Sequence, residues 1–118
     1  NSDMVGHTGN YEAAVKAIEA LDSCVEKLRI KCEEQGVTMV ITADHGNSDQ
    51  MIYPDGSVHT SHSDADVPFC VVNPKLRDQK LELNPSLKVM ALKDVAPTML
   101  RILNLPKPDL FTGDSIFL

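Results

Sequence analysis

No apolar run in these 118 residues approaches the roughly 20 needed to span a bilayer, and no charged-then-apolar leader opens them. The expectation is a soluble, cytoplasmic protein without a membrane partner. No Lys/Arg cluster stands out either, and 17 acidic against 11 basic residues leave a formal net charge of -6. That removes the basic footprint of a nucleic-acid-binding surface. The three cysteines, Cys24, Cys32 and Cys70, are odd in number and lack C-x-x-C spacing. They exclude a disulfide framework or thiolate metal site and read as small core residues. Internal repeats and low-complexity segments are also missing. The first residue is Asn1, and NSDMVGHTGN reads like the interior of something longer, so a fragment or processed chain is expected.

What is present fits one modest domain, 1–118, with 42% hydrophobic residues and a small core. Asn10 is placed to cap a helix over residues 11–35, in which Ala14, Ile18, Leu21, Val25, Leu28 and Cys32 recur at steps of four and three. Gly36 ends it. Residues 37–42 are apolar and β-branched without alternation, the pattern of a strand covered on both faces. Helix followed by buried strand points to an α/β layer. From His45 to Asp66 the composition turns to Gly, Ser, Asp, Asn and His, with a turn signal at Pro54 to Gly56. A loop that long is functional or disordered.

Residues 67–73 read as a second buried strand, with Pro68 admissible only near its start. The polar stretch 74–85 holds room for a short edge strand. Asp94 is placed to cap a second helix, DVAPTMLRILN, with Pro97 in its first turn and Val95, Met99 and Leu103 facing inward. In the irregular tail, Leu110, Phe111, Ile116 and Phe117 are expected to pack on the body.

The chemistry concentrates in the histidines. All four, His7, His45, His59 and His62, lie in Gly/Ser/Thr/Asp-rich contexts. Asp3 and His7 are four apart, Asp44 and His45 are adjacent at a strand end, and His59 and His62 are three apart. The carboxyl ends of strands in α/β sheets open onto the crevice where ligands bind, which is where Asp44 and His45 fall. Mixed Asp/His sets without Cys suit Mn²⁺, Zn²⁺, Fe²⁺ or Co²⁺, whereas Mg²⁺ prefers more oxygen. A two-metal centre, its ions about 4 Å apart, would fit phosphoryl transfer.

Each residue has a blander reading. A single loop His is usually a surface residue, and an Asp after a strand is commonly a turn or cap. Neither explains why every His sits in a Gly-flanked loop beside an Asp. Ser2, Ser48, Ser61 and Ser63 lie near histidines, but no G-x-S-x-G elbow supports a Ser/His/Asp hydrolase. EF-hand spacing and a phosphate-cradling glycine loop are missing as well.

DMVGHTGN, ITADHGN, HTSH followed by VPF, and DVAPTML resemble, in order and spacing, the carboxy-terminal part of the cofactor-independent (2,3-bisphosphoglycerate-independent) phosphoglycerate mutases of the alkaline phosphatase superfamily. The resemblance spans essentially all of the chain. It implies a partial alkaline-phosphatase-like three-layer α/β fold, helices on a mainly parallel sheet, incomplete without an amino-terminal segment. It also implies a glycolytic isomerase, cytoplasmic, interconverting 3-phosphoglycerate and 2-phosphoglycerate through a phosphoserine intermediate at two divalent metal ions, Mn²⁺ first, with Co²⁺, Mg²⁺ and Zn²⁺ as alternatives.

Carried over residue by residue, Asp3, His7 and His62 look like ligands of one metal, and Asp44 and His45 like ligands of the other. His59 and Asn47 are near-site candidates. The nucleophilic Ser, a further Asp ligand and much of the substrate clamp belong to segments of the family that nothing here matches. The implied partners are therefore phosphoglycerate and the rest of a parent chain, the 118 residues being inactive alone and prone to self-associate through an uncovered apolar face. Two other readings stand beside this one. One is a piece of a related metal-dependent phosphatase or phosphopentomutase; the other is a stable non-catalytic domain with a partial metal site.

Overall fold

A computed structural model describes residues 2–76 and 81–118. The chain forms two compact units, Asn1–Arg77 and Asp78–Leu118. The first holds two helices, α1 (Ser2–Gly6) and α2 (Tyr11–Gln35), two strands, β1 (Met39–Thr42) and β2 (Phe69–Val72), and a 3-10 turn at Pro74–Leu76. The second holds a 3-10 turn at Leu92–Asp94 and helix α3 (Val95–Ile102).

Helix α2 starts and stops where its sequence says it should. Asn10 is extended (φ -86°, ψ 95°), and its Oδ1 accepts a hydrogen bond from the Ala13 N–H at 3.0 Å. That satisfies one of the donors a helix start leaves open. At the other end Gly36 takes φ 64°, a left-handed conformation that side chains resist. The Gly36 N–H donates to Glu33 and the Val37 N–H to Cys32, closing the last turn on two of its own carbonyls.

The apolar stripe of α2 is fully covered only near its start, with Val25 and Cys32 half-buried further on. Helices α1 and α2 pack together and Ala14 is buried, but Ile18, Leu21 and Leu28 are exposed. Length explains much of this: 25 residues rise about 37 Å, while a four-residue strand spans about 13 Å. The expectation of buried cysteines fails with it, since Cys24 and Cys70 are exposed, Cys32 is half-buried, and all three are free.

Strands β1 and β2 pair antiparallel, in register Met39↔Val72, Val40↔Val71, Ile41↔Cys70 and Thr42↔Phe69. The Asn73 side chain donates to the Thr38 hydroxyl at 2.6 Å beside the pair. This corrects two expectations. The sheet formed by the described residues is not parallel, and its strands are half-exposed, with Thr42 and Cys70 open. A parallel pairing needs a crossover that returns the chain along the whole strand, normally a helix. Residues 43–68 contain no helix. They run out and back as paired loop, joined by bridges at Gly46↔Ser63 and Ile52↔Val58, and deliver β2 antiparallel to β1. The α/β class and its partial character stand.

The turn expected at Pro54 to Gly56 closes the tip of that loop. Gly56 donates to the Tyr53 carbonyl at 2.9 Å, and Asp55 accepts from the Ser57 hydroxyl and backbone N–H. The hydroxyl bond first, then the backbone bond, hold the Asp55 carboxyl below its usual range.

In the second unit Asp94 does not cap α3. It is fully buried, and its two oxygens accept from Ala91 N–H and Asp114 N–H, each at 2.9 Å. Thr98, also fully buried, donates to the Asp94 carbonyl and accepts from Ile116 N–H. The inward face of α3 is therefore Pro97 and Thr98; of the expected stripe Val95 is half-buried, whereas Met99 and Leu103 lie exposed. The expected stripe loses to a hydrogen-bonded knot with the tail. In that tail Ile116 is buried and Phe117 half-buried, but Leu110 and Phe111 are exposed. The edge strand expected within 74–85 is a single bridge, Leu83↔Phe117; residues 77–80 of that stretch lie outside the described residues.

Candidate metal centre

One helical turn separates Asp3 from His7, so α1 and the residue following it present a carboxylate and an imidazole on one side. The third group comes from the far arm of the long loop. Gly46 and Ser63 exchange both backbone hydrogen bonds, at 3.2 and 2.9 Å, which sets Asn47 across from His62 and brings His45 and His62 together as diagonal neighbours. The Ser63 hydroxyl donates to the Asp49 carboxylate at 2.7 Å and fastens the same crossing. A Cβ on Gly46 would run into Ser63 Oγ and lie 2.6 Å from Asp49 Oδ1. Gly46 thus leaves the space in which the two arms meet.

The result is a converging trio. Asp3 Oδ1 lies 3.5 Å from His7 Nε2 and 3.4 Å from His62 Nε2, and one donor atom from each residue falls within 4.8 Å of the others. Four ligands at about 2.1 Å around a tetrahedral ion stand about 3.4 Å from one another. The two distances from Asp3 therefore match edges of a metal's ligand shell, and the imidazole nitrogens lie within 4.8 Å of each other. Two imidazoles and one carboxylate are a donor set for borderline divalent ions, and with Asp3 half-exposed the site stays open to further ligands.

The second expected pair stands beside the first. The His45 ring stacks on His62 at 3.5 Å with 13° between planes, and His62 in turn lies 5.0 Å from the His7 ring. Asp44 Oδ1 is 3.5 Å from His45 Nε2, and the Asp44 side chain is 87% exposed. Asp44 and His45 thus offer two donors at the strand end, free to be completed by other groups. His59 is not in the trio. It is buried in the loop between the arms, its ring tilted 4.7 Å from Tyr53 and its Nδ1 without a hydrogen-bond partner among the described residues.

Asn47 sits inside the cluster. Its Nδ2 donates to Asp3 Oδ1 at 2.8 Å and to the Asp3 carbonyl at 3.2 Å, and lies 3.3 Å from His7 Nε2. Sequence reasoning missed Asp49, Ser63 and the spatial role of Gly6 and Gly46. The flanking glycines were the visible signal; nothing in the chain's spacing pairs Asp49 with Ser63.

An α/β chain with a convergent Asp/His/His cluster at a loop crossing has the features of a metal-dependent enzyme. The metalloenzyme superfamily matches residues 1–107, and the chain belongs to that superfamily. Its relatives narrow the comparison to the 2,3-bisphosphoglycerate-independent phosphoglycerate mutases. The chain is 51% identical to the one from Clostridium botulinum (strain Langeland) over 98% of its own length, and 46% identical to the one from Onchocerca volvulus over 97%. It spans 22% of the length of each. A crystal structure of Leishmania mexicana phosphoglycerate mutase at low cobalt concentration superposes on the whole chain with a TM-score of 0.84 at 30% identity, the chain covering 23% of that protein.

Proposed function

We propose that these residues are the carboxy-terminal metal-binding part, spanning 1–118, of a 2,3-bisphosphoglycerate-independent phosphoglycerate mutase. The convergence of Asp3, His7 and His62 carries the reading. High identity to mutases over nearly the whole chain supports it. The intact enzyme interconverts 3-phosphoglycerate and 2-phosphoglycerate through a phosphoserine. Its nucleophilic serine, further ligands and substrate clamp come from chain beyond these residues, so the 118 residues are inactive alone. It is read as a cytoplasmic, glycolytic enzyme; no helix among the described residues is long and apolar enough to cross a membrane.

Asp3, His7 and His62 would hold one divalent ion, and Asp44 with His45 would hold part of a second, Mn²⁺ being the first choice. Two such ions supply positive charge that neutralises phosphoryl oxygens and makes a serine hydroxyl a better nucleophile. The chain's own contribution is positional. Asp3 and Asp44 bring negative charge, the imidazoles bring neutral lone pairs, and the Gly46–Ser63 crossing holds the two sets side by side.

The test is made in the full-length enzyme. His62→Ala and Asp44→Ala are each expected to lower bound Mn²⁺ from two to one per chain and to abolish interconversion of the phosphoglycerates. Full activity in either variant refutes the assignment, and turnover of simple phosphate esters in place of phosphoglycerate moves the reading to a related phosphatase. The open stripe of Ile18, Leu21 and Leu28 supports self-association of the isolated 118 residues. Light scattering that shows a clean monomer refutes that part.

A further inference from the structure

We propose that Asn47 is the positioning residue that fixes the Asp3 carboxylate for the ion, and that Gly6 is glycine because Asn47 needs its space. The inference rests on the metal-site reading above and extends it to two residues outside the proposed ligands.

Asp3 Oδ1 faces three groups: the imidazoles of His7 and His62, and the Asn47 amide, which makes the shortest contact at 2.8 Å. The amide reaches across from the strand-end loop, 44 positions away. Because Nδ2 also donates to the Asp3 backbone carbonyl, it holds both the side chain and the main chain of this residue. A carboxylate on a short helix, more than half exposed, otherwise has freedom to rotate away. An ion held by His7 Nε2 would compete with Nδ2 for that nitrogen, now 3.3 Å away. The donors on Nδ2 would still have the Asp3 carboxylate and carbonyl oxygens, each with more than one lone pair, so Asn47 could orient the carboxylate with or without an ion. An aspartate at 47 would present a negative acceptor to a negative acceptor.

The amide's orientation is set from its other end. The Ser48 hydroxyl donates to Asn47 Oδ1 at 3.4 Å, leaving Nδ2 to face Asp3. That same Oδ1 lies over Gly6. A Cβ built on Gly6 would overlap Asn47 Oδ1 and lie 2.7 Å from Asn47 Cγ, and Gly6 is buried. Gly6 is helical and is not among the residues with positive φ. Alanine would therefore suit its backbone. Space for the amide is what the position requires.

Partners that orient a metal's ligands typically change affinity by about tenfold to a hundredfold when removed. The full-length protein is titrated with Mn²⁺, bound and free ion being distinguished by electron paramagnetic resonance, for wild type, Asn47→Ala, Gly6→Ala and the double variant. Asn47→Ala and Gly6→Ala are each expected to weaken the Asp3 site by about tenfold or more. The double variant is expected to be no weaker than the weaker single one, because both act through one contact. Unchanged affinity in Asn47→Ala, or additive losses in the double variant, overturns the proposal. Gly6→Ala keeps Asn47 in the chain and decides the matter if Asn47→Ala does not fold, affinity equal to wild type again overturning it. A wild type that binds no Mn²⁺ overturns the metal site together with this role, whereas tight wild-type binding unaffected by either substitution overturns this role alone.

Discussion

Two aspartates, one in each unit, show how the same side chain serves opposite ends. Asp94 is fully buried and gives both oxygens to backbone N–H groups, Ala91 on one side and Asp114 on the other. Asp3 is more than half exposed and gives one oxygen to an amide while that oxygen also faces two imidazoles. Buried polar groups must be paired within the protein. Asp94 has spent its acceptors on holding the chain together, whereas Asp3 keeps acceptors that an incoming cation can take. Satisfaction by main-chain donors marks a structural carboxylate, and an open cluster of imidazoles marks an available one.

The largest expected effect breaks the first half of that comparison. Asp94→Ala removes a fully buried carboxylate and leaves the part-buried N–H groups of Ala91 and Asp114 without their acceptors. The loss of about 1 kcal/mol at each should lower the melting temperature by about 8 °C or more. A melting temperature equal to wild type would show that the tail is held by something else. Asp3→Ala probes the other half. It should leave the metal-free melting temperature within a few degrees of wild type while lowering Mn²⁺ affinity by at least about a hundredfold, roughly 2.8 kcal/mol; a large loss of stability without metal would make Asp3 structural too.

Smaller effects sharpen the boundary between the two roles. Ser63→Ala removes the hydroxyl bond to Asp49 and should loosen the loop crossing by about 1 kcal/mol. Faster amide exchange at Gly46 and Ser63 would report it, and unchanged exchange would place the crossing's strength in the backbone pair alone. The smallest effect concerns Asp114, whose carboxyl is held below its usual range by the Lys107 hydrogen bond first and its charge second. A carboxyl lowered on folding stabilises the folded state above the unfolded chain's ordinary value, and that contribution is lost as pH falls through the folded value. Lys107→Ala should move the Asp114 titration upward toward ordinary, read by NMR; an unmoved titration would deny Lys107 that role.

Local rules were readable in the sequence wherever local contacts decide the outcome. Asn10 and Gly36 bound α2 because capping needs only residues a few positions away. Residue type marked the Asp and His residues as candidate ligands, since it restricts what can hold a cation, but grouping Asp3, His7 and His62 into one trio came from the likeness of DMVGHTGN and HTSH to the mutases, not from spacing. Strand direction could not be read from strand composition, since it depends on how residues 43–68 double back through Gly46 and Ser63. Asp94 misled for a related reason. An aspartate before a helix is a cap by local rule, but Asp114, 20 positions on, competes for its oxygen and wins. The apolar stripe of α2 was correctly periodic; periodicity says which face seeks cover, and cannot say whether the chain supplies it.

Asp3 and His62 stand 59 positions apart. Helix α1 needs only its own residues, but the trio exists only after the loop has closed and the Gly46–Ser63 pair has formed, and long closures are entropically slow to reach. On the proposed reading, ion capture would be a clock for the first unit: during synthesis the trio cannot form until residue 62 has emerged. An ion at a hundred times its dissociation constant then adds about 2.7 kcal/mol to the folded state alone. Metal supply would set how long a newly made chain lingers unfinished.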